Sequence, residues 1–205
     1  MQAQTLSVGG KTGLNSFVSL GSGVLTGDTE PKEGYLSNVA GSLSTRYTGK
    51  KHWGIEAALS YTVKNQSFVS IPFPYSFRTD FEVIDYYMLD LSAQYVITCG
   101  NAKQNKVLGR LSFFLGAGLS TGMAVSTHSY TYYDPGSIKP ERKTDDPTTS
   151  FGLMVFLSQN TVYRLNKEFS FVFSTDLKTM PWQWNNTGRI NGMSTGQLGL
   201  LYHMH

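Results

Sequence analysis

The amino-acid sequence predicts an all-β protein: an eight-stranded antiparallel up-and-down transmembrane barrel with four long extracellular loops. Bulky apolar side chains alternate with small, polar or charged ones, short connections alternate with long ones, and aromatic residues gather near the short connections. Charged residues make up only 15% of the 205 residues, against about 25% in a typical soluble protein. The chain therefore carries fewer charges than a surface facing water on every side usually does.

The alternation is clearest in the segment 53–64. Large apolar side chains such as Trp53 and Leu59 occupy every second position, whereas Glu56 and Lys64 lie between them. Successive side chains of a strand point to opposite faces of the sheet. Bulk on one face and ionisable groups on the other is the arrangement expected of a barrel in lipid.

The same two-residue period marks eight strands along the chain. They are predicted at approximately 5–15, 35–47, 53–64, 83–97, 107–123, 150–163, 168–178 and 191–204. The outward faces of the first five include Leu6, Val8 and Leu14; Tyr35, Val39, Leu43 and Tyr47; Trp53, Ile55 and Leu59; Tyr87, Leu89, Leu91 and Ile97; and Leu111, Phe113, Leu115 and Leu119. Those of the last three include Phe151, Leu153, Val155, Leu157 and Tyr163; Phe169, Phe171, Phe173 and Leu177; and Leu198, Leu200, Tyr202 and Met204.

The connections between these strands alternate in length. The short ones are Thr48–His52, Thr98–Lys106 and Arg164–Glu168, each with Gly or Asn as a turn residue. The long ones are Ser16–Gly34, Asn65–Glu82, Ala124–Thr149 and Thr179–Ile190. Outer-membrane barrels have short periplasmic turns and longer extracellular loops, so this pattern predicts both termini on the periplasmic side.

Six aromatic side chains of the outward face lie close to a short turn or to the C-terminal end. They are Tyr47, Trp53, Tyr95, Tyr163, Phe169 and Tyr202. Tyrosine and tryptophan favour the boundary between membrane and water, because the ring is apolar while the polar group stays hydrated. A general preference of strands for aromatic residues would not place them at one end.

The smaller face carries ionisable residues of both signs, which predicts an ion network inside the barrel. Its members are Lys11, Arg46, Glu56, Lys64, Asp90, Arg110, Asp176 and Lys178. A one-residue shift in register would turn them toward lipid, where each basic group near the midplane costs roughly 2–4 kcal/mol. An eight-stranded barrel has an interior that side chains can fill, so an open channel is not expected.

Other features of the chain exclude several classes of protein. The net charge of +3 is dispersed, with no basic stripe for nucleic acid, and the single Cys99 excludes an internal disulfide. No run reaches the roughly 18–20 apolar residues of a membrane helix. The N-terminal run Met1–Gln4 is typical of a start methionine on a mature exported chain, so we expect that an export signal has been removed. Residues 1–205 are predicted to form a single outer-membrane barrel domain.

Three short runs resemble a known family. They are Val8-Gly9-Gly10-Lys11-Thr12-Gly13-Leu14-Asn15, Phe114-Leu115-Gly116-Ala117-Gly118-Leu119 and Tyr87-Met88-Leu89-Asp90-Leu91. Together they resemble the small porin-like outer-membrane barrels of the Bacteroidota, the group that includes PorT. The resemblance implies a barrel across the whole chain and an association with protein secretion. It assigns no catalytic or binding residue.

The sequence departs from this family at two places. Ser92 follows Leu91 where the family often has proline, and the chain ends in Tyr202-His203-Met204-His205 rather than in a terminal phenylalanine. Such barrels commonly present that phenylalanine to their insertion machinery, so the resemblance does not fix the register of the last strand.

Candidate catalytic and metal sites are weak. His128 and Ser129 resemble the His/Ser pairs of lipid-A deacylases, but no acidic partner is indicated and a solvated loop is the preferred interpretation. The acidic residues Asp134, Glu141, Asp145 and Asp146 lack the spacing of a calcium loop. His203 and His205 alone make a poor metal site and are interpreted as a frayed end. No cofactor, no metal and no enzymatic activity are predicted.

The long loops carry the residues predicted to bind partners. Their aromatic members are Trp182, Trp184, Phe73, Tyr75, Tyr130, Tyr132 and Tyr133. Aromatic rings dominate binding hot spots and stack on sugars, although packing of the loops on one another over the barrel explains them equally well. The basic residues Lys139, Arg142 and Lys143 are candidates for contact with lipopolysaccharide phosphates.

The predicted function is that of a non-enzymatic scaffold in a Gram-negative outer membrane, which binds through its extracellular loops. The expected partners are outer-membrane lipid, lipopolysaccharide and a protein of an envelope or secretion complex, with no nucleic acid. Two alternatives stay open: a transporter of small solutes or hydrophobic ligands, and a soluble lipocalin-like carrier with its apolar face turned inward.

Overall fold

A computed structural model describes residues 4–20, 39–49, 52–70, 77–99, 107–133, 141–179 and 190–204. These residues form a closed antiparallel barrel of eight strands, with one further short strand at its rim. The strands are β1 (Thr5–Leu20), β2 (Val39–Thr48), β3 (Trp53–Ser70), β4 (Phe77–Thr98), β5 (Leu111–Tyr133), β6 (Glu141–Thr144), β7 (Thr148–Arg164), β8 (Phe169–Thr179) and β9 (Ile190–Met204). The predicted eight-stranded barrel is therefore confirmed.

The barrel closes because its first and last strands pair. β1 and β9 run antiparallel over fifteen register pairs, from Leu6 opposite Met204 to Leu20 opposite Ile190. The other barrel strands pair with their sequence neighbours, except that β5 passes over β6 to pair with β7. β6 lies in line with β7, further from the short connections, and pairs with the end of β5. We call the end with the short connections the turn end and the opposite one the loop end.

Four strands are longer than the sequence pattern predicted, and the first of them is β1, which continues to Leu20. β3 continues to Ser70, β4 begins at Phe77 and β5 continues to Tyr133. Most of the residues in the predicted loops 65–82 and 124–149 thus belong to paired strands that extend beyond the barrel. The bulky apolar face that marks the strands in the sequence ends before these extensions, where residues such as Thr127 and Ser129 replace leucine.

One predicted strand begins later than expected. Residues 107–110 form a turn and the short 3-10 helix Leu108–Arg110 rather than strand. None of the helical residues in the described ranges belongs to a helix long and apolar enough to cross a membrane.

The outward face of the barrel is an apolar belt. Leucines there are freely accessible: Leu43 is 69% exposed, Leu59 64% and Leu157 62%. At the turn end the belt is bordered by ring pairs, with centroids 5.8 Å apart for Tyr47 and Trp53 and 5.4 Å apart for Phe169 and Tyr202.

At the loop end the belt is bordered by Tyr61 and Tyr87, whose ring centroids lie 5.2 Å apart. Trp53 and Tyr61 are eight residues apart on β3. With a rise of about 3.3 Å per residue and a tilt of roughly 40°, the two borders are about 20 Å apart along the barrel axis. That separation approaches the apolar band of about 25 Å found in membrane barrels.

Glycines on the inward face allow the strands to approach closely. A Cβ atom on Gly122 would lie 2.0 Å from the Tyr87 carbonyl oxygen of β4, and one on Gly13 would lie 1.9 Å from the Gly196 oxygen of β9. Glycine inside a strand often marks such close backbone approach. Small inward residues therefore let the sheet coil tightly enough to close with eight strands.

Candidate functional site

The lumen is closed at the turn end by an apolar layer. Val96, Phe114, Val162, Val172 and Leu201 pack together there, and all five are buried. They come from five strands, β4, β5, β7, β8 and β9, whose neighbouring inward residues are small or polar. This layer separates the polar lumen above it from the turn end.

Above this layer lies a buried ion cluster centred on Glu56. The Glu56 carboxylate accepts hydrogen bonds from Lys11 Nζ at 2.8 Å, Arg46 Nη2 at 2.7 Å and Gln94 Nε2 at 2.6 Å. The Arg46 guanidinium also lies over the Phe114 ring, 4.4 Å from its centroid. Two cations on one carboxylate, with further hydrogen bonds, offset much of the cost of removing these charges from water.

A second buried ion pair lies nearer the loop end. Lys178 Nζ is 2.6 Å from both carboxylate oxygens of Asp90, and the Ser60 hydroxyl donates a hydrogen bond to the same carboxylate. Lys178 Nζ also lies 5.3 Å from the centroid of the Phe156 ring. Asp176 is close by on β8 and accepts a hydrogen bond from Thr195 at 3.4 Å.

Little space is left between and above these charges. A cavity lined by residues of both ion clusters has a volume of about 20 Å³, which holds about one water molecule. Above it, Met88, Met154 and Met193 meet in a buried layer with Tyr86 against it. In the described part of the chain, the lumen is thus filled by two apolar layers with ion pairs between them.

At the loop end, a polar cluster lies on the inward face of the hairpin extensions. We define the mouth cluster as Asp80, Glu82, Ser126, His128 and Asp145. His128 Nδ1 is 2.8 Å from Asp145 Oδ2, and His128 Nε2 is 3.0 Å from Asp80 Oδ1. The Ser126 hydroxyl donates to Glu82 Oε1 at 2.7 Å.

Both ring nitrogens of His128 therefore face carboxylates. An ionised carboxylate only accepts hydrogen bonds, and a neutral imidazole has a single N–H. The geometry therefore favours the doubly protonated imidazolium. The hydrogen bond to Asp145, reinforced by Asp80, raises the pKa of His128 above its usual range.

The mouth cluster corrects the interpretation of His128 and Ser129. They lie on β5 rather than in a loop, and His128 has two acidic partners where none was expected. The partners are distant in sequence, so spacing could not reveal them. Ser129 points to the opposite face from His128, because adjacent residues of a strand do. With both its nitrogens engaged, His128 has none free to activate a hydroxyl in this arrangement.

The predicted interior residues occupy different places. Six of them lie in or beside the two ion clusters: Lys11, Arg46, Glu56, Asp90, Asp176 and Lys178. Lys64 is half-buried on the inward face nearer the loop end. Arg110 departs from the prediction, because it lies exposed in the 3-10 helix and donates to the Leu165 oxygen at 3.5 Å. The two-residue alternation does not apply to a helical turn.

The predicted binding residues are only partly described. Tyr130 is half-buried, and its ring centroid lies 6.0 Å from that of His128. Arg142 and Lys143 are exposed on β6, where Lys143 Nζ is 3.3 Å from Glu141 Oε1. Tyr132 and Tyr133 end β5. Outside the described residues lie Trp182, Trp184, Phe73, Tyr75 and Lys139.

Sequence reasoning missed several polar residues of the lumen. Gln94 and Asn160 are buried, with Gln94 against Glu56. His203, interpreted from sequence as part of a frayed end, lies on the inward face between Ser7 Oγ at 2.7 Å and Ser170 Oγ at 2.6 Å. Their inward position in the alternation was the available signal. Among the residues described, no three His, Cys, Asp or Glu side chains converge in a way that could hold a metal ion.

No protein-family model and no curated protein matches this sequence. Several solved structures are similar to it in overall fold. The attachment invasion locus protein Ail of Yersinia pestis, solved with the heparin analogue sucrose octasulfate, is 13% identical with a TM-score of 0.44, over 98% of this chain and 97% of that chain. Outer membrane protein OprG of Pseudomonas aeruginosa is 13% identical with a TM-score of 0.49, over 98% and 95%.

The outer membrane protease OmpT of Escherichia coli is also similar, with 11% identity and a TM-score of 0.42 over 98% of this chain and 94% of that chain. The likeness to these proteins concerns the barrel fold and transfers no residue role. The sequence resemblance to PorT-like proteins stays a prediction.

Proposed function

We propose that this chain is an integral protein of a Gram-negative outer membrane, with its turn end in the periplasm and residues 1–205 acting as one domain. The observation that carries the proposal is the belt of exposed leucines between two aromatic borders, about 20 Å apart. Side chains of this kind are stable against lipid and costly against water. Charges face the lumen instead, where they are paired.

The membrane location is tested by electrophoresis of unheated and boiled samples from membrane and soluble fractions. A closed barrel that resists SDS migrates differently before and after boiling, and we expect this shift in the membrane fraction only. Protein that is soluble without detergent and shows no shift would contradict the proposal. That outcome would favour the carrier alternative, although the apolar face here lies outside the barrel and not inside it.

Within that membrane, the role supported best is binding at the loop end by a non-enzymatic scaffold. The hairpin extensions of β3, β4, β5 and β6 rise beyond the loop-end border, and His128 ties β4 to the segment after β6. An extension fixed in this way presents a defined surface rather than a free loop. The partners proposed for it are lipopolysaccharide and a protein of an envelope or secretion complex, the latter in line with the PorT-like resemblance.

Lipopolysaccharide binding is tested by removing two positive charges at the loop end and, in a control variant, two positive charges at the turn end. Replacing Arg142 and Lys143 by glutamine is expected to weaken retention of lipopolysaccharide by the refolded barrel in detergent micelles. Replacing Arg164 and Lys167 by glutamine at the turn end is the matched control and is expected to change nothing. Equal weakening by both pairs would indicate nonspecific attraction, and no weakening by either would contradict the lipid contact.

A further inference from the structure

A polar row interrupts the apolar belt on one side of the barrel. Gln159 of β7 is exposed on the outward face, and its register partner on β8 is Thr175. Thr175 is in turn opposite Gly196 of β9. Leucines border the row, since Leu115 pairs with Gln159 and Leu14 pairs with Gly196. An amide and a hydroxyl thus lie side by side, bordered by leucines, on the outward face.

Gln159 lies too deep in the belt to reach water. Tyr163, at the turn-end border, is four residues away on β7, and Phe151, toward the loop end, is eight residues away. Four residues correspond to about 13 Å along the strand, or about 10 Å along the axis at a tilt of roughly 40°. A glutamine side chain is shorter than that distance, so its amide remains among the lipid tails.

The amide of Gln159 has no partner in the part of the chain that the structure describes. Among the residues that the structure describes, none makes a hydrogen bond with the side chain of Gln159. Thr121, another polar residue of the belt, differs because its hydroxyl donates to the Gly152 oxygen at 3.3 Å. Polar groups within a membrane are costly unless satisfied, and they commonly mark functional contacts.

We propose that Gln159 and Thr175 form a contact between two copies of this chain within the membrane. The inference rests on the proposed outer-membrane location. A primary amide has both a donor and an acceptor, so two copies related by a two-fold axis can each satisfy the other with the same residues. Lipid tails offer neither group. The small Thr175 and Gly196 beside the amide allow close approach of a second surface, as small residues do elsewhere in membranes.

The test is a photo-crosslinking residue placed at Gln159 in the full chain, expressed in its native outer membrane. We expect a covalent product of twice the chain mass. The same residue at Leu89, exposed on the β4 side of the barrel, is the control and should give no such product. Crosslinking of position 159 to lipid or to a different protein would overturn the inference.

A second variant measures the contribution of the amide itself. Gln159→Leu is expected to raise the dimer dissociation constant in detergent by about three- to thirtyfold, the range that corresponds to a hydrogen bond between membrane segments. Thr121→Val is the matched control and should leave it unchanged. A monomeric wild type that keeps its heat-dependent gel shift would overturn the dimer alone. A soluble protein without the shift would overturn the membrane location and the dimer together.

Discussion

At the scale of single residues, Glu56 neutralises two buried basic side chains of the lumen. Its carboxylate accepts from two cations and an amide that come from three other strands. Removing one member of a buried ion cluster is more damaging than replacing the whole cluster by apolar residues, because the remaining charges lose their compensation. The loss of Glu56 would therefore leave both Lys11 and Arg46 without the carboxylate that neutralises them.

Glu56→Gln is therefore expected to lower the free energy of unfolding by about 3–5 kcal/mol. Urea unfolding in lipid vesicles, followed by tryptophan fluorescence, measures the change. Glu141→Gln removes the acid of the exposed Lys143 pair and is expected to cost at most about 1 kcal/mol. Similar losses in both variants would show that burial does not govern the strength of the lumen cluster.

His128 makes the rim of the barrel sensitive to pH. Asp80 and Glu82 face it from β4, Asp145 faces it from beyond β6, and the Tyr130 ring lies beside it. Because the pKa of His128 is raised in the folded protein, its bridge stabilises the rim fully below the ordinary pKa of about 6.5. That stabilisation is lost as the pH rises through the raised pKa.

Trypsin cleavage after Arg142 and Lys143 is expected to increase as the pH rises above 6.5, measured at pH 6 and pH 9, because the bridge opens as His128 loses its proton. Cleavage after Lys167, in the short turn before β8, serves as the internal reference for the activity of trypsin at each pH. His128→Gln should give the high cleavage ratio at both pH values. A ratio that is constant with pH in the wild type would contradict the pH-dependent bridge.

At the scale of elements, the close approach of β4 and β5 depends on inward glycines of β5, and Gly122 is one of them. Gly122 of β5 lies where a Cβ would collide with the Tyr87 oxygen of β4, whereas its register partner Gly152 on β7 has open space. The same glycine-to-alanine substitution can therefore be made at a crowded position, Gly122, and at an open position, Gly152, on neighbouring strands. Any loss specific to Gly122 then reports the contact with β4.

Gly122→Ala is expected to destabilise the barrel by about 1–3 kcal/mol through overpacking, because the Tyr87 carbonyl belongs to the backbone and cannot turn away. Gly152→Ala should be neutral or slightly stabilising, since glycine is unfavourable within a strand. Urea unfolding in vesicles compares the two. Equal destabilisation by both substitutions would mean that the loss of stability comes from replacing glycine in general and not from the collision with the Tyr87 oxygen.

The elements also show where sequence reasoning ended. Alternation located every barrel strand, because apolar side chains predominate on the outward face. It ended early on β3 and β5, because beyond the apolar belt polar residues occupy both faces and the contrast between the faces disappears. The bridge of His128 to Asp80 and Asp145 could not be predicted, because it depends on the pairing of β4 with β5 and on the path of the chain after β6.

At the scale of the whole molecule, the layers of the lumen bear on transport. The apolar layer around Phe114 and the methionine layer around Met154 enclose the ion pairs from both ends. Reconstituted liposomes are expected to release small solutes no faster than empty vesicles. Release faster than that would favour the transporter alternative and would require the layers to separate.

The seam between β1 and β9 has a consequence for how the molecule is made. Until these two strands meet along their fifteen register pairs, each presents a row of unpaired backbone groups that hydrocarbon cannot satisfy. Insertion and closure are therefore expected to occur as one event, with no stable half-inserted sheet between them. Because β1 is synthesised before β9, the free edge of β1 stays unpaired until β9 is available. An assembly factor that shields this edge would therefore bind β1.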